Sequence, residues 1–440
     1  MTGKGIFFSD KKNINKSSFS KLFSYLERNK IHYTSDTDDV MFKYNFGDYR
    51  GIEHFCGFTE KHSKYMEVSR GELFELTYMG INLFDAYRSE ALSYYLKIKS
   101  FRALLQNNTS REDIFNAFFD IDKNNLVMCV CISIYWADYW LARLNMISKY
   151  KYVGVFSGAQ IFNMMLIEIS KRSAMTPLLM ESFFTGSEFY LEEKYEPLPN
   201  NANIKFDNIY FNSNYCCDHS SLRKAIKRTN NKQNKNNTKN QSKNIDIGND
   251  GRRVITVIAQ VVNDFSIINT AVNYLNSIEF YKQVIIHLLK EECNYVVLKT
   301  HPWEIKKNKK RITQDAIMQY ISTMSDSYQS RFKVIESWDV AELCHRSNYI
   351  ITLCSQGGIE CAMNGKKTIQ FGNAFYGRKG FTHDYVEIED FMNDFHSGYI
   401  YPELTCDEQN NFYEFLDKLF SQHLVSNLDS NYEILDRYFR

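Results

Sequence analysis

Between residues 254 and 371 the chain alternates short β-branched apolar runs with amphipathic stretches, and few folds absorb that pattern. Val254-Ile-Thr-Val-Ile-Ala259 reads as a buried strand, and 277–290 carries apolar residues at helical spacing. Tyr295-Val-Val-Leu-Lys299 is a second strand, stopped by His301-Pro302 because proline cannot join a central ladder. A helix over 313–323, a strand over 332–335 and a helix over 339–346 follow. Tyr349-Ile-Ile-Thr-Leu353 runs into Ser355-Gln-Gly-Gly358 and a helix to Asn364, and Lys367-Thr-Ile-Gln-Phe371 closes the series. Strands separated by helices imply right-handed crossovers and a parallel, doubly wound sheet.

The first half ends in the same rhythm. Tyr152-Val-Gly-Val-Phe156 is a strand, 160–171 an amphipathic helix, and Pro177-Leu-Leu-Met180 a strand that ends at Glu181. Helical patches are expected over 72–87 and 89–105, and 406–440 reads as helical. The fold class is therefore α/β, with two Rossmann-like domains facing a central cleft and a C-terminal helical tail. The expected division is an N-terminal Rossmann-like domain over 1–220, a linker over 221–253, a second Rossmann-like domain over 254–405 and a tail over 406–440.

The linker is almost devoid of apolar residues after Ile226 and holds ten Lys/Arg against two Asp, a local +8 in a chain whose net charge is +1. Such a segment cannot bury enough surface to order itself. It is either a plain polar insert or a tether for anionic lipid. A nucleic-acid role ranks last, because the basic residues lack interleaved aromatics. The ten cysteines match no zinc spacing, and no signal-peptide apolar run opens the chain, so reduced thiols and a cytoplasmic location are expected. The longest apolar stretch, 126–136, is shorter than the roughly 20 residues a membrane-spanning helix needs.

Ligands of open parallel sheets gather at the carboxyl ends of strands. The polar residues at those positions are Glu181, Gln260, Asp264, His301, the turn Ser355-Gln356-Gly357-Gly358, and 373–377. The Gly-Gly turn offers orphan N–H groups to a phosphate, or simply permits tight packing. Glu360, in the first turn of the next helix, either compensates the helix dipole or binds a sugar hydroxyl. His301 is a phosphate donor or a leaving-group acid. Asp264 is a helix N-cap or a nucleophile, and Glu181 a solvated acid or the second carboxylate of glycosyl chemistry.

Four motifs in order resemble the capsule-polysaccharide biosynthesis family, which includes the retaining β-Kdo transferases of capsule and lipopolysaccharide assembly. They are Gln260-x-x-x-Asp264, Lys299-Thr-His-Pro302, Ser355-x-x-Gly-x-Glu360 with Gly365-Lys-Lys367, and Phe371-Gly-x-Ala-Phe-Tyr376-Gly through Thr382. Leu179-Met-Glu181 is similar to the family's acidic strand-end motif. The resemblance implies a GT-B-like transferase that uses a CMP-activated Kdo or related sugar acid and needs no metal. Its acceptor would be a glycan or glycolipid, and Asp264 would be the nucleophile with Glu181 as acid/base. His301, with Pro302, and Ser355 would hold the CMP phosphate, and Gln260, Gln356, Gly357, Gly358, Glu360 and Tyr376 would complete the donor site. The His-Pro and Ser motifs also look like those of inverting CMP-sialic acid transferases. A non-catalytic nucleotide-sugar or glycan-binding scaffold is the alternative from another class.

Overall fold

The computed structural model describes residues 3–37, 42–55, 57–105, 109–198, 200–209, 223–224, 226–228, 242, 245–248, 250–270 and 273–440. The linker expected over 221–253 lies largely outside these residues. The chain forms two compact units, one of residues 1–183, 187–201 and 422–440, the other of 184–186 and 202–421.

The first unit is built on a six-stranded sheet in the order β14-β7-β6-β5-β1-β2. Its strands are β1 (Gly3–Phe8), β2 (His32–Ser35), β5 (Tyr150–Phe156), β6 (Thr176–Ser182), β7 (Glu188–Glu193) and β14 (Leu424–Ser426). β2, β1, β5 and β6 run parallel, while β7 and β14 each pair antiparallel with their neighbour. Side-chain volume matches across the central pair: Phe8 lies opposite Gly154, and a Cβ there would meet the Phe8 ring at 2.4 Å.

Three helices of this unit matter below: α1 (Leu83–Tyr95), α2 (Arg111–Ala142) and α3 (Ile161–Lys171). The apolar stretch 126–136 lies inside α2, so the short-segment expectation is corrected. By length and composition this helix could cross a membrane, but 72% of its most apolar window is buried within the unit. Trp140 anchors it by donating its indole N–H to the Phe162 carbonyl at 2.8 Å. The continuous helix expected over 72–87 is interrupted by a hairpin of β3 (Thr77–Tyr78) and β4 (Ile81–Asn82). Met79 and Gly80 both have positive φ, the geometry of a two-residue type I′ turn.

The second unit contains six strands, all parallel, in the order β10-β9-β8-β11-β12-β13. They are β8 (Arg253–Ile258), β9 (Asn294–Lys299), β10 (Phe332–Ile335), β11 (Tyr349–Thr352), β12 (Thr368–Gln370) and β13 (Thr382–Asp384). The helices between them are α4 (Phe265–Thr270), α5 (Ser277–Leu289), α6 (Glu304–Asn308), α7 (Ile312–Ile321), α8 (Val340–Arg346) and α9 (Gly357–Met363). Counted within this sheet the order is 3-2-1-4-5-6, that of a dinucleotide-binding fold. The order reverses between β8 and β11, the switch point at which open α/β sheets bind their ligands. β13, which the sequence reading did not propose, completes the sheet beyond β12.

Residues 406–440 are not one helical tail. α10 (Cys406–Lys418) packs Phe412 and Phe415 against Phe381 of the second unit. β14 and α11 (Glu433–Phe439) belong to the first, where Tyr152 donates to the Tyr438 carbonyl at 2.7 Å. The strand forms because Leu424-Val-Ser426 is buried against the free edge of β7.

Candidate functional site

β8, β9 and β11 end level with one another: Ile258 is in register with Lys299 on one side and with Thr352 on the other. Three loops, carrying Gln260 to Asp264, His301, and Ser355 to Gly358, therefore leave one line at the switch point. The sequence reading brought these residues together, and the structure does the same. Glu181 lies in the first unit, half-buried near the end of β6 opposite Tyr190.

Gln260 is buried and both ends of its amide are engaged within the protein. Its Oε1 accepts from the Cys354 backbone N–H at 3.0 Å and its Nε2 donates to Ser266 Oγ at 2.8 Å. Gln260 thereby ties the end of β11 to the loop after β8. Ser266 passes the connection on, donating from Oγ (2.8 Å) and backbone N–H (2.9 Å) to Asp264 Oδ1. The Asp264 carbonyl accepts from Ile267 and Ile268, so Asp264 caps α4, the plainer of the two roles expected for it. A half-buried carboxylate with one oxygen held by two donors is also an oriented one.

His301 accepts the Trp303 backbone N–H on Nδ1 at 3.1 Å, so the neutral ring carries its proton on Nε2. Burial pushes its pKa down to about 4, the Lys299 and Lys307 ammoniums push the same way, and Asp264 opposes them. At neutral pH the ring is an uncharged Nε2–H donor rather than an acid. Lys307 docks its ammonium on the Asn263 carbonyl at 2.7 Å, beside Asp264, and Lys299 is the buried last residue of β9. Neither lysine was singled out in the sequence reading.

Glu304 was missed as well. Buried two residues beyond Pro302, it accepts from Val262 N–H at 3.3 Å, Thr313 N–H at 3.1 Å and Thr313 Oγ1 at 2.8 Å. It joins the loop after β8, the turn after β9 and the start of α7, and burial pushes its carboxyl pKa up. Lys-x-His-Pro-x-Glu was the signal available.

The Ser355 turn is already well bonded. Ser355 Oγ accepts the Gly357 N–H at 3.2 Å, and the carbonyls of Ser355 and Gln356 accept from Gly358 and Ile359. Gly358 fits because Tyr376 lies against it: a Cβ would stand 2.4 Å from the tyrosine oxygen, which donates to the Ser355 carbonyl. Tyr376 is fully buried and packs the turn from beneath. Gln356 and Glu360 are half-buried in the first turn of α9, and the Gln356 side chain does not cap that helix.

The equivalent position in the first unit has the opposite character. α3 opens at the carboxyl end of β5, and its first N–H, from Ile161, is bound at 2.7 Å by the buried carboxylate of Glu90 on α1. Glu90 also accepts from Gly47 N–H at 2.9 Å and Tyr49 Oη at 2.5 Å. Glu90 therefore already occupies the helix N–H that a Rossmann fold offers to a phosphate. The position suited to a phosphate is thus the switch point of the second unit.

The second unit defines a class, a doubly wound nucleotide-binding-type α/β domain with an oriented carboxylate, a neutral histidine donor, the buried Lys299 and the exposed Lys307 at its switch point. Comparison with known proteins narrows this. Residues 185–396, just under half of the chain, match the family model described as capsule polysaccharide biosynthesis protein, the family its motifs resemble. No curated protein matches in sequence. Among solved structures the chain is similar to two of Thermosulfurimonas dismutans KpsC. The beta Kdo 2,4 transferase has 17% identity and a TM-score of 0.41, over 61% of this chain and 79% of that one. The beta Kdo 2,7 transferase has 15% identity and a TM-score of 0.37, over 64% and 80%. The S. aureus MnaA–UDP co-structure has 14% identity and a TM-score of 0.31, over 95% and 87%.

Proposed function

We propose that the protein is a glycosyltransferase of capsule or lipopolysaccharide synthesis, moving Kdo or a related 2-keto sugar acid from CMP to a glycan or glycolipid on the cytoplasmic side. The observation that carries this reading is the convergence of Asp264, His301 and the Ser355 turn on one switch point, inside the stretch that matches the family. The donor is doubly anionic, with a phosphate and a sugar carboxylate, and the Lys299 and Lys307 ammoniums flank the histidine there. In this reading the His301 Nε2–H and Ser355 Oγ hold the phosphate, and the cationic surroundings do the work a metal would otherwise do.

The two bonds on Asp264 Oδ1 leave Oδ2 to attack the anomeric carbon. The carbon–oxygen bond to CMP breaks and its electron pair leaves on the phosphate. Glu181 then takes the proton of the acceptor hydroxyl as that oxygen displaces Asp264, giving net retention. This requires the GT-B-like arrangement of two domains about a cleft. Nucleotide release from CMP-Kdo, but not from UDP-sugars, is the expected outcome with purified protein. Release from CMP-sialic acid alone would shift the reading to an inverting transferase. The cap geometry of Asp264 favours one competitor, a nucleotide-sugar-binding scaffold without catalysis, and CMP binding with no turnover of any donor would establish it.

A further inference from the structure

Five of the six residues 306–311 are basic, and Asp315 is the only acid between 305 and 325. This run follows the His301 turn directly. Lys306, Lys309 and Lys310 are exposed, and none of the three makes an ion pair among the described residues. Lys306 sits 5.2 Å over the Trp303 ring, and Lys309 takes the left-handed conformation (φ 59°) that ends α6. Arg311 pairs with Glu336 at 3.1 Å, which fixes the run to the loop after β10, the edge strand of the sheet.

Ser242, distant in sequence, bonds to the same loop. Ser242 donates its N–H to Ser337 Oγ at 3.3 Å, and its carbonyl accepts from Asp339 N–H at 3.0 Å. Ile245 and Asp246 lie along the same edge, the Ile245 carbonyl bound by Arg346 at 3.3 Å and the Asp246 carbonyl by Lys333. Residues 223–243 hold eight Lys/Arg and no Asp or Glu.

We infer that the β10 edge of the second unit, around Lys306, Lys309 and Lys310, is a docking surface for the anionic headgroups of a phospholipid bilayer. The 306–311 run is lysine-rich, and its one arginine is occupied by Glu336. Compact ammonium charges on mobile stems suit a fluid sheet of negative charge better than a ligand of fixed shape. The site residues lie at the ends of the neighbouring strands, so docking would bring the switch point close to lipid-linked acceptors.

The test is co-sedimentation of the full chain with vesicles of phosphatidylcholine alone and with about one-third phosphatidylglycerol, across a salt series. Binding is expected only to the anionic vesicles, falling steeply with salt. Each neutralised lysine removes about fivefold in affinity, so K306Q/K309Q/K310Q binds about a hundredfold more weakly. Its CMP binding and melting temperature match those of the native protein. Unchanged vesicle binding by this variant, or equal binding to neutral vesicles, overturns the inference. So does binding to a soluble polyanion such as heparin with none to vesicles, which would assign the surface to an anionic polymer. Should the triple variant fold poorly, the native protein's lipid and salt dependence still decides between these outcomes.

Discussion

Asp264 carries the sharpest test at the scale of single residues. If it only caps α4, Asp264→Asn keeps an acceptor oxygen, costs at most about 1 kcal/mol of stability and retains activity. If it is the nucleophile, the variant folds and binds CMP while transfer falls by orders of magnitude, and the native enzyme shows a one-sugar mass adduct on Asp264. Gly358→Ala tests the neighbouring turn: its methyl meets the Tyr376 oxygen at 2.4 Å, so about 1–3 kcal/mol of destabilisation is expected in chemical denaturation. Gly357→Ala meets nothing closer than Ser355 Oγ at 3.3 Å and serves as the control. The residues legible in the sequence, Asp264, His301 and Ser355, each follow a β-branched run that announces a strand end. Ser266, Glu304 and Glu90 were not legible, because their roles depend on partners brought together by the fold. Glu304 meets Val262 across 42 residues, and Glu90 meets Ile161 across 71. Gln260 and Tyr376 bond within the protein to Cys354, Ser266 and the Ser355 carbonyl, partners that a motif does not name because it shows position and not which way a polar group is satisfied.

At the scale of elements, the turn between β9 and α7 links stability to protonation. The folded state holds the His301 pKa near 4, below its unfolded value near 6.5, so the unfolded chain binds the extra proton between those limits. This contribution is intact above about pH 6.5 and is lost as pH falls toward 4, by up to about 3 kcal/mol. Melting at pH 7 and pH 4.5 should therefore differ more for the native protein than for His301→Gln; equal differences would remove His301 as the cause. Glu304→Ala strips the partner from three donors and should cost about 3 kcal/mol or more while weakening CMP binding. The parallel sheet of the second unit was legible nearly strand by strand, since fully buried strands read as unbroken apolar runs between polar turns. The first 150 residues were not. β1 is a short Ile-Phe-Phe run with its partner β5 more than 140 residues away, and the type I′ turn at Met79-Gly80 interrupts an otherwise helical pattern.

For the molecule as a whole, the proposed reaction depends on carboxylates from both units, Glu181 from the first and Asp264 from the second. A binder of nucleotide sugars needs neither in its reacting form, so paired substitution separates the two functions. CMP is expected to stabilise the native chain by about 2.7 kcal/mol at a hundredfold excess over its Kd, read as a rise in Tm. Because the proposed phosphate contacts lie in the second unit, Glu181→Gln should keep that rise in full and lose transfer. Asp264→Asn should also keep it, since Asp264 acts on the sugar and not on the nucleotide. His301→Ala should lose most of it, because the hydrogen bond to the phosphate goes with the ring. The two carboxylate variants should differ in what accumulates with CMP-Kdo. Asp264→Asn forms no adduct, whereas Glu181→Gln, still able to make the first bond but not to deprotonate the acceptor, should trap the glycosyl-enzyme. An adduct in neither variant, with transfer retained in Glu181→Gln, would mean that the first unit supplies no catalytic carboxylate and that the chemistry belongs to the second unit and the bound substrates.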